Sequence, residues 1–198
     1  MHSYLALGDS YTIGEAVPTH QTYPFLLAEK LNANGVALRQ PVVVAKTGWT
    51  VEEMMQTARK QESQNQYDLV SLLIGVNNQY RKMPLSGYAT AFEEALAFAL
   101  ERAGGVRKRV FVLSIPDYGV TPFAKNLNPD RIATEIDRFN QTNEQISKRY
   151  GVMYANITPI SRRAATQPEL TAHDQLHPSG KMYAQWVEFI WKDVKALL

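Results

Sequence analysis

Arg109-Val-Phe-Val-Leu-Ser-Ile115, closed by Pro116, is the stretch on which the fold turns. Its apolar residues run without alternation from Val110 to Leu113. A strand that faces water on one side alternates, whereas one covered on both sides does not. Proline cannot continue the ladder, so the strand stops there. Working outward, the same kind of run recurs at Tyr4–Leu7, Gln40–Ala45, Tyr67–Ile74 and Val152–Ala155. Between these runs lie amphipathic stretches of helical length: Tyr23–Leu31, Val51–Arg59, Ser86–Ala103, Asp130–Arg149 and Lys181–Leu198. Pro24 suits a first helical turn, Thr50 an N-cap, and Glu52 and Glu53 the positive end of the dipole. The order β-α-β-α-β-α-β-α-β-α predicts a three-layer α/β/α fold. Five strands favour a flavodoxin-like parallel sheet over a two-halved dinucleotide fold or a barrel. No repeat or linker interrupts residues 1–198, which read as one domain.

In such a sheet ligands bind beyond the carboxyl ends of the strands, near the switch point between the first and third. The residues just past those ends are Gly8-Asp9-Ser10, Thr47-Gly48, Gly75-Val76-Asn77 and Pro116-Asp117-Tyr118, with the loop before the last helix beside them. A serine hydroxyl becomes a nucleophile when a base takes its proton. Of the four histidines, His2, His20, His173 and His177, the last lies in Asp174-Gln-Leu-His177-Pro-Ser-Gly180. Pro178 suits a first helical position, which puts His177 at the cap and Asp174 one turn away. A carboxylate there fixes the imidazole tautomer. His173 competes for the base role. Each motif alone is ordinary: Gly-Asp-Ser makes turns, and Asp-x-x-His before a helix makes caps. Together they fall on one edge of the expected sheet.

That set resembles the SGNH hydrolases, also called the GDSL lipase/esterase family. The matching blocks are Leu5-Ala-Leu-Gly-Asp-Ser10-Tyr, Ala45-Lys-Thr-Gly48-Trp-Thr50, Gly75-Val-Asn77-Asn78 and Asp174-Gln-Leu-His177, in the family's order and over essentially the whole chain. The resemblance implies Ser10 as nucleophile, His177 as base and then acid, and Asp174 as its orienter. It implies an oxyanion hole from the Ser10 and Gly48 N–H groups and the Asn77 amide. The third block usually ends in Asp, and Asn78 stands there, a variation in which an amide cannot supply a carboxylate's charge to hold the Gly75–Asn77 turn. Tyr11, Trp49, Tyr80 and Tyr118 flank the motifs and are candidates to line a substrate pocket.

Other chemistry is excluded or unsupported. Cysteine is absent, which removes disulfides, thiolate zinc sites, iron–sulfur clusters and thiol catalysis. No His/Asp/Glu cluster suggests a metal and no Gly-Lys-Ser/Thr loop a phosphate cradle, so no cofactor is expected. The Gly-x-Ser-x-Gly elbow is missing. With 21 Lys+Arg against 19 Asp+Glu, the net charge of +2 gives no footprint for nucleic acid. No run approaches the ~20 apolar residues that span a bilayer. The start lacks a basic segment followed by an apolar one, which favours the cytoplasm, although a processed signal peptide would leave a similar beginning. The expected partner is a small-molecule ester, and oligomeric state is not encoded legibly. The expected activity is serine esterase action on small or medium acyl esters. Carbohydrate O-deacetylase, lysophospholipase and thioesterase use the same residues, and a non-catalytic flavodoxin-like binding module is the alternative of another class.

Overall fold

A computed structural model describes residues 1–198. Five strands, β1 (Tyr4–Gly8), β2 (Val42–Ala45), β3 (Leu69–Leu73), β4 (Val110–Leu113) and β5 (Met153–Ala155), form one sheet in the order β2-β1-β3-β4-β5. All pairs are parallel, with Leu5 opposite Val42 and Val70, and Leu72 opposite Val112. The order reverses between β1 and β3, as the flavodoxin-like expectation requires. β1, β3 and β4 are buried along their whole length, which is why they read as unbroken apolar runs. β2 and β5 are edges and partly exposed.

Eight α-helices accompany the sheet. The long ones are α2 (Tyr23–Ala33), α3 (Val51–Gln61), α5 (Leu85–Arg102), α6 (Pro129–Tyr150) and α8 (Gly180–Lys195). α2 packs on α8, and α3, α5 and α6 pack in a row on the opposite face. Three short helices escape the periodicity reading: α1 (Ser10–Ile13), α4 (Val76–Tyr80) and α7 (Thr158–Ser161). α1 and α4 begin at the ends of β1 and β3 and carry Ser10 and Asn77. None of the helices is long and apolar enough to cross a membrane.

Burial and hydrogen bonds explain why the strand ends are rigid. Ile132, Ile136, Phe139, Asn140, Asn143 and Ile146 make the inward face of α6. Asn140 clamps the backbone after β4: its Oδ1 accepts the Ile115 N–H at 2.7 Å and its Nδ2 donates to the Ile115 carbonyl at 3.0 Å. Asn143 Oδ1 accepts from the Tyr88 hydroxyl at 2.7 Å. That hydroxyl lies against Gly75, where a Cβ would come within 2.4 Å of it. Gly75 also has φ +126°, so both conformation and space demand glycine at the turn out of β3. A buried amide that satisfies a backbone N–H and C=O together removes two costly orphans, each worth ~1–3 kcal/mol.

One sequence expectation needs correcting. Pro178 is not the first residue of the last helix, and His177 is not its cap. Ser179 is the N-cap, its hydroxyl accepting from the Met182 N–H. A serine oxygen can take that N–H bond, whereas proline offers only its fixed φ, so the helix starts two residues later than the proline suggests. His177 lies instead at a bend, just before the isolated bridge of Pro178 with Thr171, its carbonyl accepting the Ala172 N–H at 2.7 Å.

Candidate active site

Ser10 opens α1. Asp9 caps this helix with its Oδ1, which accepts the Tyr11 N–H at 3.0 Å. As the first helical residue, Ser10 has no carbonyl four residues back for its own N–H. Ser10 is buried, as is Asp9. Burial pushes the Asp9 carboxyl up to about 7, against the pull of backbone N–H groups that favour its charged form.

Asn77 is the second residue of α4. Its Nδ2 donates to the Trp49 carbonyl at 2.9 Å, which commits one of its two N–H bonds and leaves the other. Gly48 sits in the turn before α3 with φ +85°. A Cβ there would meet nothing within 4 Å, so the left-handed backbone, and not crowding, is what asks for glycine. The Gly48 N–H has no acceptor within the protein. Its carbonyl accepts from Arg81 at 2.6 Å.

On the other side stands His177, 7% exposed. Its Nδ1 lies 2.5 Å from Asp174 Oδ2, and its backbone N–H donates to Asp174 Oδ1 at 3.0 Å. Partial burial pushes the Asp174 carboxyl up. Hydrogen bonds from the His177 ring and from the His177 and Leu176 N–H groups outweigh it and hold the group below the ordinary carboxylate range. Tyr11 packs edge-on against the imidazole, with ring centres 5.9 Å apart. Gln175, between the two, has φ +64°. Its carbonyl is pinned by the Phe123 N–H at 3.0 Å.

Ser10, Asn77 and His177 line one pocket of about 140 Å³. No hydrogen bond joins Ser10 to His177 here; such bonds are often long in a resting site and tighten with substrate. Of the expected lining residues, Tyr11, Tyr80 and Tyr118 are present. Trp49 is not. It packs half-buried on the apolar core and reaches the site through its carbonyl alone. His173 is exposed and is not part of the pocket. Sequence reading missed Val76, Phe123 and Leu176 in the lining. Val76 and Leu176 sit inside the quoted motifs, next to Asn77 and His177. Phe123 follows Pro122, in a 3-10 run (Pro122–Asn126) that periodicity does not mark. Tyr80, Tyr118 and Phe123 form an aromatic mouth with ring centres 6.0–6.4 Å apart. Burial pushes the Tyr118 phenol up to about 12, so it is neutral at any working pH. No three His, Asp or Glu side chains are grouped to hold a metal ion.

A search of curated proteins finds no match. Among solved structures, TesA is 19% identical, with 99% of each chain covered and a TM-score of 0.78. The psychrotrophic esterase EstA from Pseudoalteromonas sp., solved with monoethylphosphonate as inhibitor, is 18% identical over 99% of this chain and 98% of its own, with a TM-score of 0.75. The acetyl xylan esterase AlAXEase is 14% identical over 97% and 99%, also with a TM-score of 0.75. At such identities these likenesses show a shared fold. The GDSL-like lipase/acylhydrolase family model matches residues 6–185, nearly the whole chain, and the chain belongs to this family of ester-bond hydrolases.

Proposed function

We propose that residues 1–198 work as a single serine esterase unit that hydrolyses small or medium acyl esters through an acyl-enzyme. The observation that carries this reading is one pocket lined by a buried serine, an Asn amide with an uncommitted N–H, and a histidine paired to a carboxylate at 2.5 Å. His177 Nε2 takes the proton of Ser10 Oγ as the oxygen attacks the ester carbonyl. Asp174 keeps the other imidazole proton on Nδ1 and stabilises the imidazolium. The carbonyl oxygen becomes an oxyanion and accepts from the Ser10 N–H, the Gly48 N–H and the Asn77 amide. Collapse breaks the ester C–O bond, and the His177 proton leaves with the alcohol. Water, deprotonated by His177, then attacks the acyl carbonyl and frees Ser10 with the carboxylic acid. The residues suffice for this chemistry without a cofactor.

Val76, Tyr80, Tyr118, Phe123 and Leu176 make the pocket mainly apolar. That composition favours an acyl chain of a few carbons over a bare acetyl group on a sugar. Each CH₂ buried there contributes ~0.8 kcal/mol, or about fourfold in kcat/KM. Two measurements test the reading. A fluorophosphonate probe is expected to label the wild type at Ser10 and to leave Ser10→Ala unlabelled. Across p-nitrophenyl esters from acetyl to decanoyl, run beside acetylated sugars, kcat/KM is expected to climb over the first few carbons and then fall. An unlabelled wild type favours a binding module. A continued climb to decanoyl favours a lysophospholipase or thioesterase, and a preference for acetylated sugars a deacetylase.

A further inference from the structure

The Gly48 turn has few ties of its own; beside it the Thr47 hydroxyl donates to Glu15 Oε2, just past α1. The turn follows β2, an edge strand, and between Ala45 and α3 its one internal backbone bond is Trp49 N–H to the Lys46 carbonyl at 3.3 Å. The other ties come from α4 and Arg81 just after it, which reach the turn and the start of α3 through three side chains. Asn77 Nδ2 donates to the Trp49 carbonyl. Arg81 donates through Nη2 to the Gly48 carbonyl and through Nη1 to Glu53 Oε1 at 3.2 Å. Asn78, wholly buried, does the most. Its Oδ1 accepts the Val51 N–H at 3.1 Å, while its Nδ2 donates to Glu52 Oε2 at 3.0 Å and lies 3.5 Å from Met83 Sδ.

Position 78 must therefore both accept and donate. An amide does both in this geometry. A carboxylate would still accept from Val51 but would face the Glu52 carboxylate at hydrogen-bond distance, its own side chain buried while Glu52 reaches out to solvent. Like charges so placed cannot both stay ionised without cost.

We propose that Asn78, matched to Glu52, and Arg81 are positioning residues that hold the Gly48 N–H at a fixed separation from the Asn77 amide. This rests on the reading that both groups donate to the oxyanion. Neither Asn78 nor Arg81 lines the pocket, so they act on the rate only through the donors they place. Misplacing a donor removes an interaction made chiefly in the transition state, so the loss belongs in kcat and not in KM.

The test compares the wild type with Asn78→Asp, Asn78→Asp/Glu52→Gln and Arg81→Ala. The readouts are steady-state ester hydrolysis and the rate of Ser10 labelling by a fluorophosphonate, whose P–O group occupies the same donors. At pH 8, Asn78→Asp is expected to lose about tenfold or more in kcat and in labelling rate, with KM within about twofold. The added Glu52→Gln supplies an amide donor to the new carboxylate and is expected to restore kcat to within about threefold of wild type. Arg81→Ala, at an exposed site that leaves the core intact, is expected to lose roughly three- to tenfold in kcat. It decides the matter if Asn78→Asp does not fold. The inference fails if Asn78→Asp or Arg81→Ala keeps the wild-type kcat, if the losses lie in KM alone, or if Glu52→Gln gives no rescue. An unlabelled Ser10 in the wild type would sink the esterase reading and this inference together, whereas normal labelling with a normal Asn78→Asp sinks the inference alone.

Discussion

On one side of the pocket, Ser10 and Asn77 stand on short helices that grow straight out of β1 and β3. On the other side, His177 hangs from the loop that leads to α8. The first wall is anchored in the buried centre of the sheet: Asp9 caps α1, the Tyr88 hydroxyl fills the space at Gly75, and Asn78 ties α4 to α3. The second wall is tied by Asp174, by the Ala172–His177 backbone bond and by the Phe123 N–H on the strained Gln175. Asp174 and His173 are exposed, whereas Asp9 and Asn78 are not. A wall that holds fixed dipoles gains from being rigid, because donors already aimed need no reorganisation as charge develops. The proposed base, which must take a proton, give it back and admit water, gains from some freedom.

The largest expected effect is on the rigid wall, at Ser10, the nucleophile of the proposed reaction. Ser10→Ala is expected to fold with a wild-type melting profile and to lose turnover, leaving roughly 10³–10⁴-fold over water from the remaining donors and binding. Hydrolysis of p-nitrophenyl acetate at the wild-type rate by this variant would remove Ser10 from the mechanism.

The loop wall is tested by its two histidines. His177→Ala is expected to lose nearly as much kcat as Ser10→Ala, because groups acting as a unit fail together. His173→Ala, exposed and outside the pocket, is expected to stay within about twofold of wild type. The reverse result would mean that the loop rearranges to present His173 when substrate binds.

Asn77→Ala returns to the rigid wall with a smaller loss. If Asn77 is the oxyanion donor proposed above, its removal is expected to cost about 10²–10³-fold in kcat, or ~2.7–4 kcal/mol, with little change in KM. A loss carried by KM would assign Asn77 to ground-state binding and would weaken the contrast between the two walls.

How much of this the sequence revealed also divides along the two walls. β1, β3 and β4 are legible because burial on both faces leaves unbroken apolar runs, and the start of α3 because Thr50 and Glu53 cap each other. The site motifs are legible because they follow strand ends. α1 and α4 are hidden, since four or five residues show no helical period. The Asn78–Glu52 pair is hidden because partners 26 residues apart meet only once α3 and α4 are packed. On the loop wall, Pro178 points to a helix start that Ser179 takes instead, and Phe123 reaches the pocket through a 3-10 run without a pattern. Trp49 misleads for the opposite reason: its neighbours mark the site, yet its half-buried ring packs against the core.

The last expected effect is on stability, not rate, and sets the two walls' carboxylates against each other. Asp9 is pushed from an ordinary 3.8 to about 7 by burial, so the native state holds its proton more tightly than the unfolded chain does. Its contribution to stability is full below pH 3.8 and is lost as pH rises through 7. Asp174 is held below the ordinary range, so its contribution is present above 3.8 and is lost as pH falls through its lower native value. Asp9→Asn and Asp174→Asn remove one titration each. In urea unfolding between pH 4 and 8, the stability of Asp9→Asn relative to wild type is expected to rise with pH up to about 7 and then level off. Over that same range the difference for Asp174→Asn is expected to stay nearly flat, and to shrink only on acidification below pH 4. A flat difference for Asp9→Asn would mean that its carboxylate is solvated or paired in solution. The rigid wall would then be wetter than its packing shows, and the contrast between the walls would rest on hydrogen bonds alone.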